Sequence, residues 1–256
     1  MAGAKTRPPR RRLRRLLLGA GLVALVALVA LAWRWQQALP LERVSVRGHV
    51  RADSAEVVRL AALPDSVALY SLDPALVADR ARRAPWVREA RVRRLPSGTL
   101  SIAVEERAPV ALVVAADGRP SHYLDREGYA LPLRPADPFD VPLLRGRVPA
   151  YHPTQPAADA ALLRLLDALA TADAETAALV SEVTLGAGGE ARLRTTPDDA
   201  HGALTVRLSG DYAAQLRRLH AFWHQAVLPR PETRFESVDL RFDGQILTRE
   251  APASHP

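Results

Sequence analysis

Between Leu16 and Trp33 the chain reads LLLGAGLVALVALVALAW, a run without a single charge. A helix of that length, rising 1.5 Å per residue, just crosses a hydrocarbon layer of ~30 Å. Its leucines and valines together favour insertion by about 3–6 kcal/mol, and no central charge opposes them. Trp33 and Trp35 stand at the far end, where amphipathic rings settle among lipid headgroups. Ahead of the run come Lys5, Arg7, Arg10, Arg11, Arg12, Arg14 and Arg15, with no acid among them. Clustered arginines stay on the cytoplasmic side. The pattern therefore predicts a cytoplasmic tail over 1–15 and a single-pass inner-membrane anchor over 16–33, marked by Leu16, Leu25, Trp33 and Trp35. The bulk of the chain then lies outside, in the periplasm or its equivalent. A cleaved signal peptide is the alternative. Ala30-Leu31-Ala32 has the small-x-small form of a cleavage site, and the arginine pairs suggest twin-arginine export. The length of the run and the tryptophans that follow favour retention.

The exported part has enough apolar residues for one large domain or two small ones, since 48% of the 256 residues are hydrophobic. Cysteine is absent, which rules out disulfides, thiolate metal sites and a cysteine nucleophile. The net charge of +7 belongs entirely to the tail. Beyond residue 15 the chain has 28 basic and 28 acidic residues. A nucleic-acid binder needs a basic stripe on its folded part to displace counterions from phosphate, so the expectation is no nucleic-acid partner.

Alternation of apolar and polar residues over Leu41–Arg47 predicts a half-buried strand, ended by Gly48. Asp53 or Ser54 can cap a helix through Leu63, and Pro64 stops it. Asp73-Pro74 opens a second helix, with proline at its first position. Strands follow over Val87–Leu95 and Leu100–Arg107, joined by a turn at Pro96-Ser97-Gly98. Leu100, Ile102 and Val104 share one face of the second of these. The order β-α-α-β-β makes a self-contained α+β unit. From Val110, short apolar runs broken by Asp117-Gly118, Glu127-Gly128 and many prolines suggest an antiparallel meander. A helix over Ala157–Ala170, strands near Val180–Leu185, Ala191–Thr195 and Leu204–Leu208, and a helix from Asp211 to Val227 come next. One last strand is expected from Glu236 to about Thr248, with Val238, Leu240 and Phe242 on one face. The fold class is thus α+β. An anchor helix is followed by the small module over 41–110, then by a mixed or antiparallel β domain over 111–250 with two helices and a C-terminal edge strand. Residues 251–256 read as a disordered tail.

Signs of catalysis are missing. His220 and His224, four apart on a helix, could share a face as metal ligands. No cysteine lies near and no obvious third ligand follows, so ordinary helix histidines beside Trp223 are the favoured reading. Gly186-Ala187-Gly188-Gly189 lacks the ending of a phosphate loop and reads as a hairpin turn. Glu105 and Glu106 point to opposite faces of a strand and cannot converge as an acid–base pair. No catalytic residue, cofactor, metal or small-molecule substrate is expected.

The residues carry a resemblance. Val44-x-Val46-x-Gly48, Leu69-Tyr70-x-Leu72-Asp73 and the string from Pro85-Trp86-Val87 through Glu106-Arg107-x-Pro109-Val110-Ala111 resemble the POTRA module of the FtsQ/DivIB family of bacterial cell-division proteins. Val238-Asp239-Leu240-Arg241-Phe242-x-Gly244 resembles the final strand of that family's β domain. The family usually has Gly-Asn where this chain has Gly48-His49, and often tyrosine where it has Phe242. The stretch from Pro132 to Pro156 matches poorly.

The resemblance implies a bitopic scaffold of the divisome, enriched at the septum, with no enzymatic activity. It implies binding to the FtsB–FtsL coiled-coil complex along the last strand by β-augmentation, and to other divisome proteins. By matching position the partner-binding residues are Leu240, Arg241, Phe242 and Gly244, continued by Gln245, Ile246 and Leu247. Arg241 would offer a charge-assisted bond to an acidic partner residue and Phe242 an aromatic anchor. Two other readings stay open: a membrane-anchored POTRA component of envelope assembly, and a cell-wall-acting enzyme.

Overall fold

The computed structural model describes residues 10–134, 138–198 and 201–251, with side chains from residue 17 onward. Most of the expected cytoplasmic tail, the side chain of Leu16 and residues 252–256 of the expected disordered tail lie outside the described residues. The chain divides into two compact units, Met1–Arg82 with Glu89–Glu105, and Arg83–Arg88 with Glu106–Pro256.

Helix α1 runs from Arg10 to Ala38. It continues past Trp33 because nothing halts it before Pro40, which disfavours helical backbone at Leu39. Its segment Leu17–Ala38 is long and apolar enough to cross a membrane. Leu25, Trp33 and Trp35 are all more than half exposed, so this apolar surface is left uncovered by protein, as suits a membrane-spanning segment.

The rest of the first unit follows the order expected from the sequence. Strand β1 spans Arg43–Arg47, helix α2 Ser54–Ala61, helix α3 Pro74–Ala81, strand β2 Val87–Leu95 and strand β3 Thr99–Glu106. Asp53 and Asp73 cap the two helices, each accepting from a backbone N–H two residues on at 2.9 Å. The three strands lie in the order β1-β3-β2, with β1 parallel to β3 and Val44 beside Leu100. Leu100, Ile102 and Val104 face inward and are buried together with Val57, Leu69 and Val77. Gly48 has φ +80°, and a Cβ there would collide with the carbonyl of Val104. Only glycine fits at this end of β1.

In the second unit the strands are β4 Pro109–Val114, β5 Pro120–Asp125, β6 Ala130–Pro132, β7 Leu143–Gly146, β8 Val180–Leu185, β9 Glu190–Thr195, β10 Thr205–Ser209, β11 Phe235–Asp239 and β12 Leu247–Glu250. Among the described residues they form one sheet in the order β12-β11-β10-β9-β8-β7-β4-β5-β6. Helices α4 (Ala160–Thr171), α5 (Ala174–Leu179) and α6 (Tyr212–Phe222) accompany it, and a π-helical turn over Trp223–Val227 extends α6. Leu162, Leu165, Leu166, Leu216 and Leu219 share one core with Val183, Leu193, Val206 and Val238. Strand β9 alternates between that core and solvent, with Ala191, Leu193 and Thr195 buried and Glu190, Arg192 and Arg194 exposed.

Three expectations need correction. The meander holds for β4, β5 and β6, but β7 inserts between β4 and β8 and runs parallel to both. Strand direction is set by distant partners, and nothing local to Leu143–Gly146 encodes it. A third helix, α5, joins the two expected in this domain; its six residues are too few to show a helical period. Finally, the single strand expected from Glu236 to Thr248 is two strands, β11 and β12, joined by a turn and paired antiparallel.

Arg107, read from sequence as part of a strand end, is buried. Its Nη1 donates to Asp125 Oδ2 at 2.6 Å and to Glu127 Oε2 at 3.0 Å. Its guanidinium also sits 3.6 Å from the centroid of the Tyr129 ring. Only 8% of the Arg107 side chain and 5% of that of Asp125 remain exposed, so loss of either partner strands a charge in a dry site. Asp125 further accepts from the backbone N–H groups of Glu127 and Tyr129, which fixes the turn between β5 and β6. Arg107→Ala should therefore lower stability by about 3–5 kcal/mol, measured by chemical denaturation of the full-length protein in detergent. The exposed Arg82–Asp79 pair, broken by Arg82→Ala, should cost no more than about 1 kcal/mol.

Candidate protein-binding edge

The C-terminal end of the large sheet is built by a β-α-β crossover. Strand β10 leads into α6, which Asp211 caps by accepting from the N–H of Ala214 at 3.0 Å. The chain then returns as β11, parallel to β10 with Val206 beside Val238. Such a connection needs a helix-length crossover, and α6 supplies it. Beyond Asp239 the chain leaves the sheet plane, turns, and comes back as β12, with Asp239 beside Leu247 and Val238 beside Thr248.

An arginine on α6 holds the turn. Arg218 donates from Nη1 to the carbonyl of Leu240 at 3.1 Å, and from Nη2 to those of Phe242 at 2.8 Å and Gln245 at 2.6 Å. One guanidinium thus satisfies three carbonyls that the turn takes out of the ladder. Gly244 has φ +73°, the left-handed conformation that glycine adopts at little cost.

Arg241 is tied down within the chain. Its Nε and Nη2 pair with Asp239 at 2.9 and 2.7 Å, and its Nη1 reaches Glu190 on β9 at 3.0 Å. The hydrogen bond from Arg241 is the main cause holding the Asp239 carboxyl below its usual range. Both partners therefore stay charged at neutral pH. The charge expected to meet an acidic partner residue is already answered by the chain's own carboxylates.

The seven expected partner-binding residues, four by matching position and three continuing the edge, thus divide. Leu240 is fully buried, so its side chain belongs to the core and not to a contact surface. Arg241 clamps the turn, and Gly244 and Gln245 form it. Phe242, Ile246 and Leu247 are 48%, 38% and 50% exposed. Every residue of β12 is exposed, and this strand is the first in the sheet order. Its outer backbone edge is therefore unpaired among the described residues. Of the seven residues only Leu247 lies on this edge strand, Leu247–Glu250. The dipeptide Asp243-Gly244 was the local signal that could have revealed the turn.

The same region brings Glu175 of α5 to His220 and His224, the pair for which sequence showed no third ligand. Its carboxylate lies 3.2 Å from His224 Nε2 and 3.8 Å from His220 Nε2.

Removing the Arg218 clasp tests this construction. Arg218→Ala should cost about 1.5–3 kcal/mol, the range for hydrogen bonds to a charged group. It should also speed backbone amide exchange over residues 241–250 while leaving β8–β9 unchanged.

Comparison with known proteins agrees along nearly the whole chain. A family model described as POTRA domain, FtsQ-type, matches residues 39–107. A second, described as FtsQ/DivIB, C-terminal related, matches residues 108–249. The chain is 47% identical over 254 residues to the cell division protein FtsQ of Rhodothermus marinus, covering 99% of this chain and 92% of that one. It is 41% identical over 241 residues to that of Salinibacter ruber, covering 91% of this chain and 92% of the relative. With the FtsQ of Myxococcus fulvus it shares 33% identity over 213 residues, covering 80% and 71%. With family models matching residues 39–107 and 108–249 and relatives this similar over most of their length, the chain belongs to the FtsQ/DivIB family of cell-division proteins.

Proposed function

We propose that this chain is a non-catalytic, single-pass scaffold of the bacterial divisome, which recruits the FtsB–FtsL complex through the open edge of β12. Its N-terminus lies in the cytoplasm, its two folded units lie outside the inner membrane, and it concentrates at the septum. The basic cluster before α1 supports that orientation.

The observation that supports the binding reading is an outer strand whose far edge is unpaired among the described residues, beside exposed apolar side chains. A partner segment laid along β12 would gain backbone hydrogen bonds for affinity, and alternate side chains would supply specificity. Phe242, Ile246 and Leu247 would form the apolar anchors, since aromatic residues in desolvated pockets dominate such interfaces. Leu240, Arg241, Gly244 and Gln245 act by shaping and holding the turn that presents them. Exposure of all four β12 residues means that docking requires no rearrangement of the core.

The test is binding of purified FtsB–FtsL to the full-length protein in detergent or nanodiscs. Phe242→Ala should weaken binding about tenfold or more, and Phe242→Ala combined with Leu247→Ser further still, with the thermal transition unchanged. Arg241→Glu is a poorer probe, because it also breaks the chain's own pairs with Asp239 and Glu190. A folded double variant that binds with wild-type affinity would rule out this edge.

A further inference from the structure

We propose that Glu175, His220 and His224 form a binding site for a zinc-class divalent transition metal ion, which cross-links α5 to α6. The ligand atoms of the three side chains all lie within 4.8 Å of one another. In a tetrahedral site with nitrogen and oxygen ligands about 2.0–2.1 Å from the ion, neighbouring ligand atoms stand roughly 3.3 Å apart. The His224–Glu175 separation of 3.2 Å is already there, and the His220–Glu175 separation of 3.8 Å needs only a small contraction.

The hydrogen bonds around His220 orient its ring for an ion. Thr176 Oγ1 donates its one proton to Asp173 Oδ2 at 2.7 Å. Towards His220 Nδ1, 3.0 Å away, the same hydroxyl can then only accept. With Nδ1 turned to Thr176, the other ring nitrogen of His220, Nε2, is directed at the Glu175 carboxylate 3.8 Å away, where one ion could bind both. Histidine ligands to metals are commonly oriented this way, with the other ring nitrogen bonded to a carboxylate or carbonyl. Here Thr176 is buried to 1% exposure, and Asp173 Oδ1 lies 3.6 Å from the same Nδ1.

The donor set selects the ion class. Two imidazoles and one carboxylate suit zinc and its first-row neighbours, whereas calcium and magnesium take all-oxygen shells. The side chains of His220, His224 and Glu175 are 32%, 45% and 71% exposed, so an ion can enter from solvent and water can fill a fourth position. With only six residues, α5 has little helical stability of its own. A metal bridge to α6 would anchor it beside the crossover that ends at β11.

Titration of untagged, metal-free, full-length protein in detergent with Co2+, followed by its visible absorption, and then displacement with Zn2+, tests the site. The expected result is one saturable tetrahedral Co2+ site displaced by Zn2+, and a thermal transition that rises with Zn2+ concentration. Glu175→Gln and His224→Ala should each weaken binding at least about tenfold, and Thr176→Val, through the orientation of His220, by about tenfold. Glu175 and His224 are exposed, so their variants should keep the wild-type fold, checked by circular dichroism. Absence of a saturable site would overturn the proposal and leave a protonated histidine–glutamate pair. Equal Co2+ affinity in wild type and His220→Ala/His224→Ala would also overturn it.

Discussion

A single guanidinium decides how this chain ends. By gathering the carbonyls of Leu240, Phe242 and Gln245, Arg218 lets the backbone leave the sheet after Asp239 and return as one more strand. Without that clasp, three carbonyls in a tight turn would have only water as partner. The Arg241 clamp to Asp239 and Glu190 fastens the same turn from the sheet side. Together they convert what reads as one long strand into a hairpin whose outer member is exposed throughout. Natural proteins usually shield such edges with charge, shortness or cover. Here β12 is four residues long and carries Arg249 and Glu250, which restrains indiscriminate pairing while the apolar turn beside it stays available.

The platform behind that edge owes its rigidity to two different kinds of interaction. Leucines on α4 and α6 and alternate residues of β8, β9, β10 and β11 bury one continuous apolar core, which is non-directional and tolerant of exchange. Arg107 with Asp125 is directional and buried, so it specifies the β5–β6 turn more strictly than any surface pair. The proposed metal site at the histidine–glutamate cluster would add a third kind of tie, one that depends on a supplied ion. Membership of the FtsQ/DivIB family explains the overall plan of anchor, POTRA module and β domain, but such a tie would be a property of these particular side chains.

Much of this fold is legible in the sequence wherever the information is local. Asp53, Asp73 and Asp211 each precede an apolar helical period, and each caps a helix. Alternation of Leu100, Ile102 and Val104 with Ser101, Ala103 and Glu105 gives the buried face of β3 directly. Gly186–Gly189 links β8 to β9 as a hairpin. What could not be read depends on partners far away in the chain. The parallel placement of β7 is fixed by β4 and β8, the burial of Arg107 by Asp125, and the meeting of Glu175 with His220 by the packing of α5 against α6. The C-terminal turn lies between these cases. Asp243-Gly244 announced it locally, but the apolar alternation of Val238, Leu240 and Phe242 pointed to a continuous strand, and Arg218 overrides that pattern from another element.

On the proposed function, the outer edge of β12 is open in the free protein and becomes paired when a partner binds. Residue-resolved amide exchange by NMR over Leu247–Glu250, without and with saturating FtsB–FtsL, measures this directly. In the free protein the amides facing β11 should be protected and those facing outward should exchange quickly, with the outward set slowing strongly in the complex. Protection of both sets before any partner is added, or unchanged exchange of the outward set in a fully formed complex, would contradict it.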